Sequence, residues 1–189
     1  MKRLTLLVLS LSGIGAATLI VSCATRTFSG PMTESSCVQR GKCLVAILGC
    51  NDCHTPMKLG QNGSEPDMTR MLSGHPEEAK LPPPPTLPSG PWRVVCVPLT
   101  AWSGPWGISY APNLTPDENT GLGIWTEQMF VNAIRTGKHF GKSRPILPPM
   151  PWQDYANLTD EDLKAIYAYL RTVPPVVNHV PDPVITEHP

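Results

Sequence analysis

The chain has 189 residues, which is enough for one domain with a buried core or for two very small ones. Its 23 prolines and few aromatic residues (five Trp, four Tyr and three Phe) predict short elements with long irregular connections and argue against a large sheet. The formal net charge is zero, so nothing in the composition indicates binding to nucleic acid.

The N-terminus has the layout of a secretory signal. A basic start, Met1-Lys2-Arg3, is followed by an apolar or small run from Leu4 to Val21. The run leads into Ile20-Val21-Ser22-Cys23, which resembles the lipobox of bacterial lipoproteins, whose cysteine is lipidated. We therefore predict that residues 1–22 are a lipoprotein signal peptide and that Cys23 carries the lipid. An uncleaved anchor helix and ordinary signal cleavage are the alternatives, and all three place the domain outside the cytoplasm.

The next segments predict a tether, a short helix and a long loop. Residues 23–36 are small and polar, which is typical of a flexible tether. Residues 38–49 carry apolar side chains at helical spacing and end at Gly49, so they predict a short helix. Residues 57–112 have little periodicity and predict a long ordered loop, with a short helix near 67–72 and a brief hairpin near 93–99.

Two later helices have clear start signals. Thr126 precedes an acidic first turn and an apolar stripe, and Gly137 ends the pattern. Thr159 is followed by three acidic residues, which suit a helix N-terminus, and the helix ends before Pro174. We place the domain at residues 37–178 and predict an irregular tail at 179–189.

The stretch Cys50-Asn51-Asp52-Cys53-His54 carries the chemistry. Two thiols one helical turn apart reach two vinyl groups on one edge of a haem, and the next residue presents an imidazole to the iron. A zinc site would need a second pair of ligands, and a thioredoxin-like redox pair would need a βαβ setting. Neither pattern is visible here. We therefore predict one covalent haem c held by Cys50 and Cys53, with His54 as an axial iron ligand.

Three stretches carry a resemblance to a known family. They are GCNDCHTP at 49–56, NLTPDENTGLGIW at 113–125, and PPMPWQDYANLTDEDLKAIYAYLRTVPP at 148–175. With these the chain resembles monohaem, class I-like c-type cytochromes, and is most similar to the cytochrome c domains of bacterial alcohol and aldehyde dehydrogenase cytochrome subunits. The resemblance implies an all-α cytochrome c fold, with three main helices around one haem and a long Pro/Trp-rich loop inserted. It also implies that Gly41 allows the first helix to cross the last one near Tyr167 and Tyr169.

The resemblance further implies a methionine as the sixth iron ligand. Met150 is the main candidate, because it lies between prolines that restrain the backbone and it precedes the last helix. Met68 and Met71 are the alternatives, whereas Met57 lies too close to His54 and Met129 suits a core position. His75 and His139 are expected to be surface residues rather than ligands.

Other residues are candidates for the haem pocket or for cross-linking. Trp125, Asn113, Trp106, Arg144 and Tyr110 are expected to bind the haem carboxylates or cover the ring, with a plain core or turn role left open for each. In an oxidising compartment we favour a Cys43–Cys96 disulfide, with Cys37–Cys96 as the alternative.

These features predict an electron carrier rather than an enzyme, with no catalytic residue. His/Met ligation fills both axial positions and raises the potential of the iron, which cycles between Fe(III) and Fe(II). The predicted location is the periplasmic side of a membrane through a lipid anchor, and Ala24 permits the outer membrane. Expected partners are a dehydrogenase, another cytochrome or a terminal oxidase. The alternatives are an electron-accepting cytochrome subunit of one specific dehydrogenase complex, and a haem enzyme with a labile distal ligand.

Overall fold

The structure is a computed structural model that describes residues 33–85 and 93–185. Within this part of the chain the α-helices are α1 Glu34–Ile47, α2 Cys50–His54, α3 Glu127–Thr136, α4 Trp152–Tyr155 and α5 Asp160–Leu170, and two short 3-10 helices are Met68–Arg70, near the predicted 67–72 helix, and His139–Gly141. The strands are β1 Met57–Gly60, β2 Gly63–Pro66, β3 Val94–Val95, β4 Ala101–Gly104, β5 Gly107–Tyr110 and β6 Val184–Ile185. Among the described helices, none has the length and apolarity needed to cross a bilayer. The predicted signal peptide and the lipidation site at Cys23 lie outside the described residues.

The longer helices begin at side-chain caps. Thr126 accepts a hydrogen bond from Met129 N at the start of α3, and Gly137 ends that helix with a φ of 64°. Thr159 caps α5 in the same way through Asp162 N. At α1 the cap is Thr33, so the helix begins at Glu34. The last residues of the predicted tether therefore belong to the helix.

The crossing of α1 and α5 depends on a glycine. A Cβ added at Gly41 would lie 1.8 Å from the carbonyl oxygen of Ala165 and 2.8 Å from Cβ of Tyr169. Only a residue without a side chain permits this approach, which agrees with the predicted helix crossing. Around it, α1, α3 and α5 enclose an apolar core that includes Leu44, Phe130, Ile134, Leu163, Ile166 and Leu170.

The inserted segment is not only a loop, so the all-α prediction is too simple. β1 and β2 form an antiparallel hairpin, and a second antiparallel sheet has the order β3-β4-β5-β6. β6 lies in the tail that we predicted to be irregular, where Val184 pairs with Ile108 of β5. These strands are only two to four residues long, and β6 pairs with β5 across a large sequence separation. No local sequence pattern therefore predicts the second sheet.

Buried hydrogen bonds fix the insertion and the tail to the helical part. Thr55 Oγ1 accepts a bond from Leu72 N at 2.9 Å. Asn178 Nδ2 donates to the carbonyls of Ser73 and His75 at 2.7 and 2.9 Å. His75 is itself wholly buried, with Nδ1 2.9 Å from Thr100 Oγ1, so its predicted surface position is wrong. It lies inside because its polar atoms and those of its backbone find partners there.

The predicted Cys43–Cys96 disulfide is not formed, and neither is Cys37–Cys96. Cys96 is a free thiol, and its Sγ accepts a hydrogen bond from Ala101 N within the turn that joins β3 to β4. Cys43 lies on α1, which packs against α5, and it is already disulfide-bonded, so it is not available to Cys96 or Cys37. Cys37 is also a free thiol. The prediction rested on the oxidising compartment and on the expected position of Cys43 near the core, and neither determines which cysteines approach each other.

Candidate functional site

One cavity of about 720 Å³ lies between the helices and the second sheet, within the size range of cofactor sites. α2, α3 and α5 line it, together with the segments 111–114, 139–151 and 179–183. Most of its walls are apolar, with side chains such as Leu114, Leu122, Phe130, Ile134, Leu163 and Ile166. The cavity thus suits a large, mainly apolar group.

Cys50 and Cys53 line this cavity from α2. Gly49 precedes the helix in the left-handed conformation, with a φ of 68°, which turns the chain sharply from α1 into α2. Both cysteines are free thiols and partly buried. Burial raises the pKa of the Cys50 thiol to about 11, so it is protonated at neutral pH before any bond forms. One helical turn separates the two sulfurs, as two thioether links to one ring require.

His54 is held in one orientation and one tautomer. Its ring is 6% exposed, and Nδ1 lies 2.9 Å from the carbonyl oxygen of Pro112. Because a carbonyl only accepts, Nδ1 carries the proton and donates, which leaves the lone pair of Nε2 for a metal. Burial lowers the pKa of His54, and the bond to Pro112 opposes this shift. The residues present therefore fit a haem iron: a neutral, oriented imidazole follows two thiols in a large apolar cavity.

Met150 is the methionine that lines the cavity within the described part of the chain. Met57, Met71 and Met129 are partly buried elsewhere, and Met68 is 59% exposed. The segment that carries Met150 is attached to the second sheet, because Ser109 Oγ on β5 donates to the carbonyl oxygen of Pro148 at 2.6 Å. A thioether thus shares the cavity with His54, as the prediction of an axial pair requires.

The other predicted pocket residues divide into two groups. Trp125, Arg144 and Tyr110 line the cavity. Asn113 also lines it, but its amide is already used: Nδ2 donates to Thr120 and to the carbonyl of Val176, and Oδ1 accepts from Thr115. Asn113 therefore fixes the backbone of the cavity wall and has no free amide group for a ligand.

Trp106 does not reach the cavity. Its Nε1 donates to Ser109 Oγ at 3.2 Å, and Arg93 lies over its ring at 5.6 Å from the centroid. The prediction of Trp106 as a haem-pocket residue is therefore wrong, because the β4–β5 turn directs its indole back against Gly104. Trp102 of β4 lines the cavity instead.

Sequence reasoning missed several residues of the site. His139 lines the cavity and is half-buried, so it is not simply a surface residue. Residues 179–183 of the tail also line it, including Asp182. The proline-rich tail has no helical or strand periodicity, so its attachment through Asn178 could not be read from the sequence.

Known proteins that are similar to this chain include cytochromes c. Residues 97–174 match the family model for cytochrome c, so this stretch is cytochrome c-like. The match begins after Cys53 and His54, which the fold then brings to the cavity lined by the matched stretch.

Several curated proteins are similar over part of the chain. A stretch of 72 residues is 42% identical to the fructose dehydrogenase cytochrome subunit of Gluconobacter japonicus, covering 38% of this chain and 15% of that one. The gluconate 2-dehydrogenase cytochrome c subunit of Pantoea cypripedii is 44% identical over 66 residues, or 34% and 14% of the two chains. The cytochrome c subunit of the alcohol dehydrogenase (quinone) of Gluconobacter oxydans is 37% identical over 81 residues, or 41% and 17% of the two chains. The chain thus spans only a small part of each of these relatives.

Proposed function

We propose that this protein is a c-type cytochrome with one covalent haem, and that it accepts electrons from a dehydrogenase. The observation that carries the proposal is the hydrogen bond from His54 Nδ1 to Pro112, which leaves Nε2 for iron beside two free thiols. Bound haem would supply one-electron chemistry between Fe(III) and Fe(II).

The roles of the chain's own residues follow from their positions. Cys50 and Cys53 would hold the porphyrin through thioether bonds, and His54 and Met150 would be the iron ligands. The apolar walls would exclude water from a bound ring, which together with ligation by His54 and Met150 would favour the reduced iron. A thioether in the cavity favours the carrier over the haem enzyme, since an enzyme would need an open or labile distal position.

The dehydrogenase partner is supported by the relatives. Those named above are cytochrome subunits of fructose, gluconate and alcohol dehydrogenases, so a substrate-oxidising enzyme is the electron donor that best fits this chain. This favours a dedicated subunit role over a general carrier between other cytochromes or a terminal oxidase. We also propose an extracytoplasmic location with a lipid on Cys23, on the basis of the lipobox-like sequence alone.

The test is the visible spectrum of protein matured with haem c. Ferric iron bound by a thioether gives a weak far-red band, which we expect in the wild type and expect to disappear in Met150→Ala. Met68→Ala is the matched control, because Met68 is exposed and outside the cavity, and it should keep the band. Absence of covalent haem in the wild type would contradict the proposal, and a band that persists in Met150→Ala would exclude Met150 as the ligand.

A further inference from the structure

One part of the cavity wall is charged rather than apolar. His139, Arg144 and Asp182 all line it, and we call these three residues the polar wall. His139 and Arg144 follow α3, whereas Asp182 comes from the C-terminal strap, which we define as residues 178–185. His139 is half-buried and the other two are exposed, so the polar wall lies where the cavity meets solvent.

The polar wall has unused hydrogen-bonding capacity. Within the described residues, neither the Arg144 guanidinium nor the His139 ring forms a hydrogen bond. By contrast, Ser109 and Asn113 in the same cavity have their polar atoms paired with protein groups. Carboxylates that enter an apolar cavity need donors of this kind, and haem carries two of them.

His139 is placed to respond to charge in the cavity. Its ring packs edge-on against Trp125 at 5.1 Å between centroids and against Phe140 at 4.3 Å. Burial lowers the pKa of His139, the nearby Arg144 lowers it further, and Asp182 raises it. The other titratable side chains that line the cavity are Cys50, Cys53, His54, Tyr110, Tyr155 and His179.

We propose that the polar wall receives the haem carboxylates and that His139 takes up a proton when the iron is reduced. This rests on the function proposed above. One electron arrives from the reduced dehydrogenase partner and lowers the charge inside the cavity by one. One proton then passes from water to the neutral imidazole of His139, which restores the charge. Because His139 adjoins solvent, the proton needs no internal path. The reduction potential therefore falls with rising pH across the range in which His139 titrates.

The experiment is a titration of the reduction potential of the haem-loaded protein between acidic and alkaline pH. If the proton affinity of His139 differs threefold between the two redox states, the reduction potential should change by about 28 mV across the titration, since a tenfold difference corresponds to about 59 mV for one electron. His139→Gln should remove this dependence. Asp182→Asn should move it to lower pH, because the carboxylate that favours the imidazolium is gone. NMR titration of the His139 ring should give a higher pKa in the reduced than in the oxidised protein.

His75→Gln is the matched control. His75 is also a histidine, but it is not among the residues that line the cavity, and its Nδ1 lies 2.9 Å from Thr100 Oγ1, so its replacement should leave the pH dependence of the potential intact. The proposal is overturned if His139→Gln keeps the wild-type dependence, if His75→Gln removes it, or if the NMR pKa is the same in both redox states. Protein that acquires no haem would overturn the proposed function as well, whereas haem-loaded protein with a flat potential overturns this inference alone. Unchanged haem absorbance in each variant shows that the variant has folded.

Discussion

Thr55, directly after the proposed iron ligand, joins two segments through one hydroxyl. Its Oγ1 donates to Asn51 Oδ1 at 2.9 Å and accepts from Leu72 N at 2.9 Å, and the side chain is fully buried. The bond from Leu72 N ties the chain directly after the Cys50–His54 motif to the inserted segment. It supplies an acceptor for a buried backbone N–H that would otherwise have no partner.

Replacing Thr55 by Val should therefore destabilise the protein. The shape is kept, but Leu72 N loses its acceptor, which costs about 1–3 kcal/mol for a buried donor. Thr55→Ser keeps the hydroxyl and loses only a methyl group, at about 0.8 kcal/mol. The measurement is the free energy of unfolding of the haem-loaded variants in denaturant. If Val costs no more than Ser, the hydroxyl does not hold the segment.

His75 should make stability depend on pH. Burial is the main cause that lowers the pKa of His75, so the folded protein favours the neutral ring more than the unfolded chain does. The unfolded state therefore binds the proton first as pH falls below about 6.5, the ordinary value for histidine. The stability that the neutral His75 contributes is fully present above about pH 6.5. It is lost as the pH falls from there through the lower pKa of His75 in the folded state.

His75→Gln should reduce this acid sensitivity. We would compare the free energy of unfolding at pH 7.5 and at pH 5 for wild type and variant, because buried His54 and half-buried His139 are present in both proteins. The variant is expected to be less stable at pH 7.5 but to lose less on acidification. An equal loss in the two proteins would mean that His75 is not a source of the pH dependence.

At the scale of elements, the sequence predicted what local signals specify. Thr126, Gly137 and Thr159 are caps whose partners lie within one turn, so α3 and α5 could be predicted with nearly correct bounds. The second sheet could not, since its strands are short and β6 joins it from the far end of the chain. The same holds at the site: the Cys50–His54 motif is local, but the placement of Asp182 depends on the docking of the C-terminal strap.

Asn178 anchors the C-terminal strap. Its two amide protons bind the carbonyls of Ser73 and His75, and its Oδ1 accepts from Arg70 Nη2 and from Glu77 N, both at 3.0 Å. All of its hydrogen-bonding capacity is thus used to join the strap to the segment after β2. Few side chains can make this set of bonds, because an amide alone offers two donors and an acceptor on one planar group.

Asn178→Ala should release the strap. Two buried carbonyls and one backbone N–H lose their partner, so we expect a loss of about 2–4 kcal/mol or local opening of residues 178–185. Hydrogen exchange and limited proteolysis would detect the opening, which should increase solvent access to the haem. Asn62→Ala in the exposed β1–β2 turn is the control and should change neither. Unchanged protection of the strap in Asn178→Ala would show that β6 pairing alone holds it.

At the scale of the whole molecule, the inserted segment and the tail together form the second sheet, which lies beside the helical core. The sheet that they build places Trp102 and Tyr110 against the cavity, and the C-terminal strap closes the same side. The chain therefore supplies its own cover for this side of the proposed haem. A partner enzyme need not complete the pocket, so docking and haem binding can be separate properties.

Cys23 is the predicted point of attachment to a membrane. The lipobox-like sequence before Cys23 predicts a lipidated cysteine, which would keep the electron carrier at a membrane surface near its donor. In Cys23→Ser the protein should appear in the soluble extracytoplasmic fraction, with its haem spectrum and potential unchanged, because Cys23 is not one of the proposed haem-binding residues. The measurement is membrane fractionation together with mass spectrometry of the N-terminal peptide. Cys37→Ser, a change at a free thiol on α1, is the control and should remain with the membrane. If Cys23→Ser stays membrane-bound without a lipid, an uncleaved helix is the anchor instead.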